Sequence, residues 1–327
     1  MTTQEDLPTL DAALLRRRLV EEGPYAQLRV ADAVDSTNLA LTRAAAEPGF
    51  VASWPHLSVL TAEEQTGGTG RLGRGWSSPP RSSLSTSVVL RPGRAGADPT
   101  SQLPWISLVA GLSLVEVLRA ELGIPAELKW PNDVHVQGRK ISGILAALVP
   151  STGGAQAGRG ADGVTVVLGI GINVLLDAQE LPTATSTSVQ LELERIDPAE
   201  VGGAPEADGD LRTRLLCAFL LGFAENLAEL EVTASRASGI SVGRSPLGRR
   251  ILAIMDTLGQ EVRVELPGGG AVRGGAAALE EDGSLVVEVT HRRDTTQTPW
   301  EPVAGTAGKN RRAFSAGDVI HLRRLGG

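Results

Sequence analysis

The stretch "LKWPNDVHVQGRKISGIL", Leu128 to Leu145, decides how the rest of the chain is read. "AELKW" leads into it, "VHVQ" forms its middle and "ISGILAALV" carries it out. Pro131 with Asn132-Asp133 makes one turn between these apolar runs, and Gln137-Gly138 makes the other. The spacing predicts three adjoining strands, with Lys129, Asn132, Asp133 and Lys140 gathered at one end of a hairpin. A decorated turn is one account of this cluster, since Pro-Asn-Asp is good turn chemistry by itself. Lys140 is less bland. It enters an apolar strand ahead of the small residues Ser142 and Gly143, and a lysine entering a buried run needs an anion partner. The chain has 31 basic residues, of which only Lys129, Lys140 and Lys309 are lysines. Two of the three therefore fall in this stretch, where a compact point charge differs from arginine's planar fork.

Outward from the hairpin, "VTVVLGIGINV" reads as a buried strand ending in Asn173, whose amide either caps the strand end or meets a ligand. Upstream, "PWISLVAGLSLVEVLRAEL" has a helical apolar period, with Pro104 suited to its first turn. "LDAALLRRRLV" and "TNLALTRAAAE" are shorter helices; Ser36 or Thr37 caps the second, and Pro48-Gly49 stops it. "LSVLTAEEQ" and "SSLSTSVVLRP" are strands on either side of a glycine-rich segment. Downstream, "PSTGGAQAGRGADG" is a loop and "DLRTRLLCAFLLGFAENLAEL" a long helix that carries Cys217 as a core thiol among Leu216, Phe219 and Leu220. Past about residue 245 the pattern changes to short strands, "QEVRVEL", "AVRGGAAALEEDG", "SLVVEVT" and "GDVIHLRRL", with a polar insertion at 291–312. The outline is an α/β (α+β) chain: an N-terminal helix and extension over 1–30, a larger domain over 31–245 and a small β-barrel domain over 246–327.

The glycine-rich segment, "EEQTGGTGRLGRGWSSPP" (Glu63 to Pro80), holds Gly67, Gly68, Gly70 and Gly73 with Arg71 and Arg74. It is not a P-loop, because no lysine follows the glycines. As a G-x-G-x-x-G dinucleotide fingerprint it fails on context, because a strand rather than a helix follows. A flexible surface loop is one reading. The two arginines favour another: forked donors and bare backbone N–H groups suit a phosphate or carboxylate. Trp76 either packs in a core or offers a face to a base. An anionic ligand that carries an aromatic ring, such as a nucleotide, satisfies both features.

The composition excludes several classes. At 327 residues, 42% of them apolar and 21% charged, the chain has the make-up of an ordinary globular protein of about two domains. The net charge, 31 − 38 = −7, argues against nucleic acid as a partner. One cysteine excludes an internal disulfide framework. The N-terminus lacks a signal-peptide core, and no run reaches the roughly 18 apolar residues of a membrane span. These features together predict a cytoplasmic protein with no membrane partner. The four histidines (His56, His135, His291, His321) lack metal-ligand spacing and receive no role.

Taken together, "DSTN" (Asp35 to Asn38), the glycine–arginine segment, "KWPND" (Lys129 to Asp133), "GRKISGIL", "GIGINV" and the small terminal β domain resemble the biotin–protein ligase family. The resemblance runs from about Ala31 onward. It implies a mixed sheet flanked by helices, of the class II aminoacyl-tRNA synthetase/biotin–lipoate ligase type, followed by an SH3-like β-barrel. It also implies a two-step reaction. Biotin and ATP with Mg²⁺ form biotinyl-5′-AMP and pyrophosphate, and the adenylate then modifies one lysine of a biotin carboxyl carrier domain. By the same resemblance, Lys140, Arg71 and Arg74 are catalytic. Ser36, Thr37, Asn38, Gln65, Gly68, Gly70, Arg71, Lys140 and Gly143 bind biotin. Arg71, Arg74, Trp76, Asn132, Lys140, Asn173 and Arg323 bind ATP or the adenylate, and Asp133 is the metal ligand. One departure stands out: Thr69 occupies a position where the family carries a further arginine, which removes one charge from the anion cradle. With only about 30 residues before "DSTN", the expectation is a ligase without the DNA-binding helix-turn-helix of the repressor members, either a monomer or a weak homodimer. Lipoate or octanoate transfer is the alternative enzyme on the same fold.

Overall fold

The computed structural model describes residues 7–93, 99–149, 164–196, 210–235, 241–304, 310–316 and 321–324. Of the expected features, the 150–163 loop and Lys309 lie outside the described residues, as does the side chain of Arg323.

The larger unit is built on a seven-stranded sheet in the order β1-β2-β5-β9-β8-β7-β6. Its strands are β1 (Gln27–Val34), β2 (Ser58–Gln65), β5 (Ser83–Leu90), β6 (Ala126–Lys129), β7 (Asp133–Val136), β8 (Arg139–Val149) and β9 (Thr165–Asn173). Only β1 and β2 run parallel, and every other pairing is antiparallel. The hairpin read from the sequence is therefore one edge of the sheet. Its β7–β8 turn has Gln137 at φ 49° and Gly138 at φ 80°, the two positive φ angles of a type I′ turn. Main-chain bonds from Leu128 to Ile254 and Asp256 cover the outer edge of β6, so this edge is not left open to another chain.

The two faces of the sheet are distinguished by the two-residue period of the strands. On β9, Val166, Leu168, Ile170 and Ile172 enter the main core beneath helices α4 (Pro99–Leu122) and α6 (Leu211–Thr233). The alternate residues, Val167, Gly169, Gly171 and Asn173, face the other way, toward α2 (Thr37–Ala44). That second face holds a smaller core of Leu41, Phe50, Trp54, Leu60, Val89 and Val167, and beyond it an open polar end. Helix α4 is apolar and long enough to cross a membrane by composition, but here it packs between the sheet and α6. It begins five residues earlier than its sequence period suggests, so Pro104 lies inside it. Pro104 faces solvent there, while Trp105, Ile106, Leu108 and Val109 bury and hold the helix together across the missing N–H. At Gly111 the helix approaches β6 so closely that a Cβ would stand 2.3 Å from Leu128 Cδ1. Gly111→Ala should therefore cost about 1–3 kcal/mol as an overpacked core, read as a lower urea midpoint at unchanged slope.

The small unit is a six-stranded antiparallel sheet: β10 (Glu261–Glu265), β11 (Ala271–Leu279), β12 (Leu285–Arg293), β13 (Glu301–Pro302), β14 (Arg311–Phe314) and β15 (His321–Arg324). The expected boundaries shift in three places. β1 begins at Gln27, inside the segment read as an extension, and Leu10, Leu15 and Leu19 ahead of it belong to the main core. Helix α7 (Pro246–Ala253) follows the larger unit, because Arg250 pairs with Glu116 of α4 and Glu229 of α6 at 2.7 and 2.8 Å. Strand β12 also runs to Arg293, so the first residues of the polar insertion are ladder rather than loop. Cys217 is half-buried at the edge of the core beside Arg18, and burial pushes its thiol pKa up. Trp130 joins the two units: its backbone N–H donates to Thr257 Oγ1 at 2.9 Å and its indole N–H to Gly283 O at 3.1 Å.

Candidate active site

The polar end of the second face is a cavity of about 490 Å³ formed between the N-terminus of α2, the glycine–arginine segment, the β6–β7 turn, β8, β9 and the chain at 182–186. The glycines of "GIGINV" explain why there is space. A Cβ on Gly169 would stand 2.7 Å from Asn38 Nδ2, and one on Gly171 would stand 2.5 Å from Trp76 Cε2. Any side chain at these two inward positions would displace the residues that line the cavity. Gly143, next door on β8, would place a Cβ 3.0 Å from Lys140 Nζ and 3.3 Å from Trp76. The two β strands are thus kept bare where the cavity passes over them.

Lys140 Nζ donates to Asp133 Oδ1 at 2.7 Å and lies 5.9 Å from the Trp76 ring centroid. Its backbone is fixed on both sides, donating to Thr185 O at 2.8 Å and accepting from Thr187 N at 2.9 Å. Burial pushes the Asp133 carboxyl pKa up, but His135 and the Lys140 ammonium outweigh it and hold it well below the usual carboxylate range. Asp133 is therefore ionised at neutral pH, with Oδ2 3.9 Å from His135 Nε2. The neighbouring Arg139 pairs with buried Glu192 at 3.0 Å, and Glu192 also accepts from Thr187 Oγ1. This ties the Ser/Thr-rich chain at 183–188 to the strand that carries Lys140.

The glycine–arginine segment folds as its own small hairpin, β3 (Gly68–Thr69) and β4 (Gly75–Trp76), around a 3₁₀ turn at Arg71–Gly73. Arg71 reaches Asn132 Oδ1 at 3.5 Å and the backbone carbonyl of Ala316 in the small unit at 2.5 Å. Burial pushes its guanidinium pKa down, Asp133 pulls it back up and Arg74 pushes it down again. Arg71, Arg74 and Lys140 line the cavity together with one carboxylate, Asp133. Gly68 departs from expectation. It does not line the cavity but is buried in the hairpin, where a Cβ would meet Trp76 O at 2.4 Å. Gly70 and Thr69 do line the cavity.

At the α2 end, Ser36 caps the helix through Leu39 N at 3.4 Å. Gln65 Oε1 accepts from both Thr37 N at 2.8 Å and Thr37 Oγ1 at 3.1 Å, and Ser87 Oγ donates to Thr37 Oγ1 at 2.9 Å. Asn38 Nδ2 bonds Leu145 O and Val167 O at 3.2 and 3.3 Å, so its amide stitches β8 to β9 at the cavity floor. Asn132 Nδ2 donates to Ile144 O, and Asn173 Nδ2 donates to Thr187 O at 3.0 Å. Of these, Ser36, Thr37, Asn38, Gln65, Asn132 and Asn173 line the cavity. Sequence reading missed His135, Gly169, Gly171 and Thr185. The alternating glycines of "GIGINV" were the available signal, because two glycines spaced by two in a strand leave one face bare. Among the described residues no group of three His, Cys, Asp or Glu gathers as a metal cage.

The comparisons with known proteins agree with this architecture. Residues 30–173 match the biotin/lipoate A/B protein ligase family and residues 257–322 match the biotin protein ligase C-terminal domain. The larger unit is thus of the class that handles biotin or lipoate. A biotin–[acetyl-CoA-carboxylase] ligase of Mycobacterium tuberculosis is 32% identical over 329 residues, spanning 99% of this chain and 100% of that protein. A bifunctional ligase/repressor of Bacillus spizizenii is 33% identical over 152 residues, 45% of this chain and 43% of that protein. The solved structure of a biotin protein ligase from Aquifex aeolicus, in complex with biotin and ATP, aligns with a TM-score of 0.62 at 25% identity, covering 92% of this chain and 100% of that one. The chain belongs to the biotin–protein ligase family.

Proposed function

We propose that the protein attaches biotin to a lysine of a biotin carboxyl carrier domain in two steps. The biotin carboxylate attacks the α-phosphorus of ATP, pyrophosphate leaves, and biotinyl-5′-AMP remains bound. The unprotonated amine of the carrier lysine then attacks the acyl carbon, and AMP leaves as the amide forms. The observation that carries this reading is the Lys140–Asp133 pair, which faces a cavity bounded by two arginines on one side and the capped N-terminus of α2 on the other.

The two anions that must meet in the first step repel, so the site has to supply positive charge where they approach. Lys140 does this as a mobile point charge, steadied between Asp133 and Trp76. Arg71 and Arg74 offer forked donors to the phosphates. Ser36, Thr37, Asn38, Gln65, Gly70 and Gly143 form the biotin end, with the helix N-terminus favouring a carboxylate. Trp76 and Asn173 take the adenine, by stacking and by an amide contact. Asp133 suits Mg²⁺ as a single protein ligand, since it is ionised and its Oδ2 is not held by Lys140. Mg²⁺ commonly takes one or two carboxylates and completes its shell with substrate phosphates and water. When bound there, Mg²⁺ would neutralise phosphate charge.

Pyrophosphate release from ATP, measured with biotin, lipoate and octanoate in turn, tests the reading. Release is expected with biotin alone, and release with lipoate at a matching rate would replace biotin as the substrate. A further prediction concerns the Arg71 latch to Ala316, which holds the small unit against the site. Arg71→Gly should keep some adenylate synthesis but release the intermediate early, so that lysines on an unrelated protein become labelled. Equal bystander labelling by both forms, at equal adenylate production, would remove Arg71 as a guard of the intermediate.

A further inference from the structure

The described residues between β12 and β14 line no part of the cavity, yet they carry Trp300 into contact with two arginines of the small sheet. Arg273 Cζ lies 4.0 Å from the Trp300 ring centroid and Arg293 Cζ 5.0 Å. The ladder registers bring these residues together. Arg273 pairs with Arg263 across β10–β11 and with His291 across β11–β12, and Arg293 pairs with Ala271, two residues from Arg273. Val262, Val264 and Val272 alternate with them and are buried, so the arginines occupy the outer face of the sheet.

Charge matching distinguishes two of these arginines from their neighbours. Arg263 has Glu265 at 2.6 Å, Arg292 has Glu301 at 3.7 Å and Arg311 has Glu288 at 2.9 Å. Arg273 and Arg293 make no ion pair among the described residues, although the chain has 38 acidic residues against 31 basic ones. Both are half-buried, and the Nε of each is buried without a hydrogen-bond partner. Cation–π contact with the tryptophan offsets part of the cost of placing two like charges together and seats each guanidinium over the ring. With Nε directed inward, the terminal nitrogens remain as the donors of each fork. Two forks around one ring, with His291 beside them, suit the planar or tetrahedral oxygens of an oxyanion.

We propose that Arg273 and Arg293, seated on Trp300, form an oxyanion site on the outer face of the small sheet, apart from the catalytic cavity, which takes a phosphate or carboxylate group. The site does not depend on the reading of the enzyme's reaction. The test labels the full-length protein with 5-fluorotryptophan, which gives five resonances, and assigns that of Trp300 by its loss in Trp300→Phe. Inorganic phosphate and succinate are then titrated separately at constant ionic strength. The Trp300 resonance should shift saturably, and Arg273→Gln and Arg293→Gln should each abolish that shift while the other four resonances keep their positions. Saturation by phosphate alone identifies a phosphoryl site, and saturation by both identifies a general oxyanion site. A Trp300 shift that is absent, that rises linearly without saturating, or that persists when both arginines are replaced would overturn the proposal.

Discussion

Replacing Lys140 by arginine should slow biotinyl-5′-AMP formation by about 10²–10³-fold, the scale of removing one preorganised donor from a developing oxyanion, while the protein remains folded. Arginine keeps the positive charge, so a simple Coulombic role would predict little change. The cavity makes the shape matter. Nζ is already 2.7 Å from Asp133, and even a methyl group on Gly143 would come within 3.0 Å of it. A planar fork in this space has to displace Asp133 or Trp76, or turn away from the reacting oxygens, and it cannot follow charge from the carboxylate to the phosphate as a compact ammonium does. Biotin- and ATP-dependent pyrophosphate release, with thermal unfolding as the fold control, decides the matter. A near-wild-type rate would reduce Lys140 to an exchangeable charge.

The sequence pointed to which residue types meet at this cavity more readily than to the contacts that hold them there. Lys140 was legible because it is one of three lysines and enters an apolar strand, where it needs an anion; Asp133, seven residues back, is 2.7 Å away in the fold. The Gln137-Gly138 turn and the switch to short strands beyond α7 were equally legible, since turn residues and the two-residue period are local signals. Contacts that depend on long-range closure were not legible. Asn38 bonds carbonyls more than a hundred residues away, and Arg71 reaches Ala316 across the two units. Nothing in the spacing around either residue encodes those distances. His135 was passed over for lack of metal-ligand spacing. It lies near Asp133 because residues two apart on β7 share a face, and a register shift at Val134/His135 sets it opposite Lys140; a bulge of that kind leaves little trace in composition. The same limit applies to Arg212, which is fully buried and bonds Glu63, Ser83 and Pro8. In the sequence it is one more charged residue on a helix.

Gly171→Val should weaken ATP binding by about 1–3 kcal/mol, the worth of one base stacked on an aromatic ring, or about 5- to 150-fold in affinity, with much less effect on biotin. The argument begins from β9. Its inward positions read Val167, Gly169, Gly171, Asn173, and the indole of Trp76 occupies the space that a Cβ on Gly171 would fill, 2.5 Å from Cε2 and 2.6 Å from Cζ2. Valine is at ease in a strand, so the backbone has no reason to shift and the indole has to move instead. Trp76 belongs to the two-residue strand β4, paired only with β3, and its indole N–H is buried without a hydrogen-bond partner. It is therefore held mainly by packing against the bare strands, and removing that space removes its seat. In the biotin end, Ser36, Thr37 and Gln65 are held by bonds within α2, between Thr37 and Gln65, and to Ser87 that do not involve the indole. Calorimetry with biotin and with a non-hydrolysable ATP analogue separates the two ligands. Loss of both affinities together would mean that valine had disordered the whole cavity. Unchanged affinity for the ATP analogue would remove Trp76 from the nucleotide site.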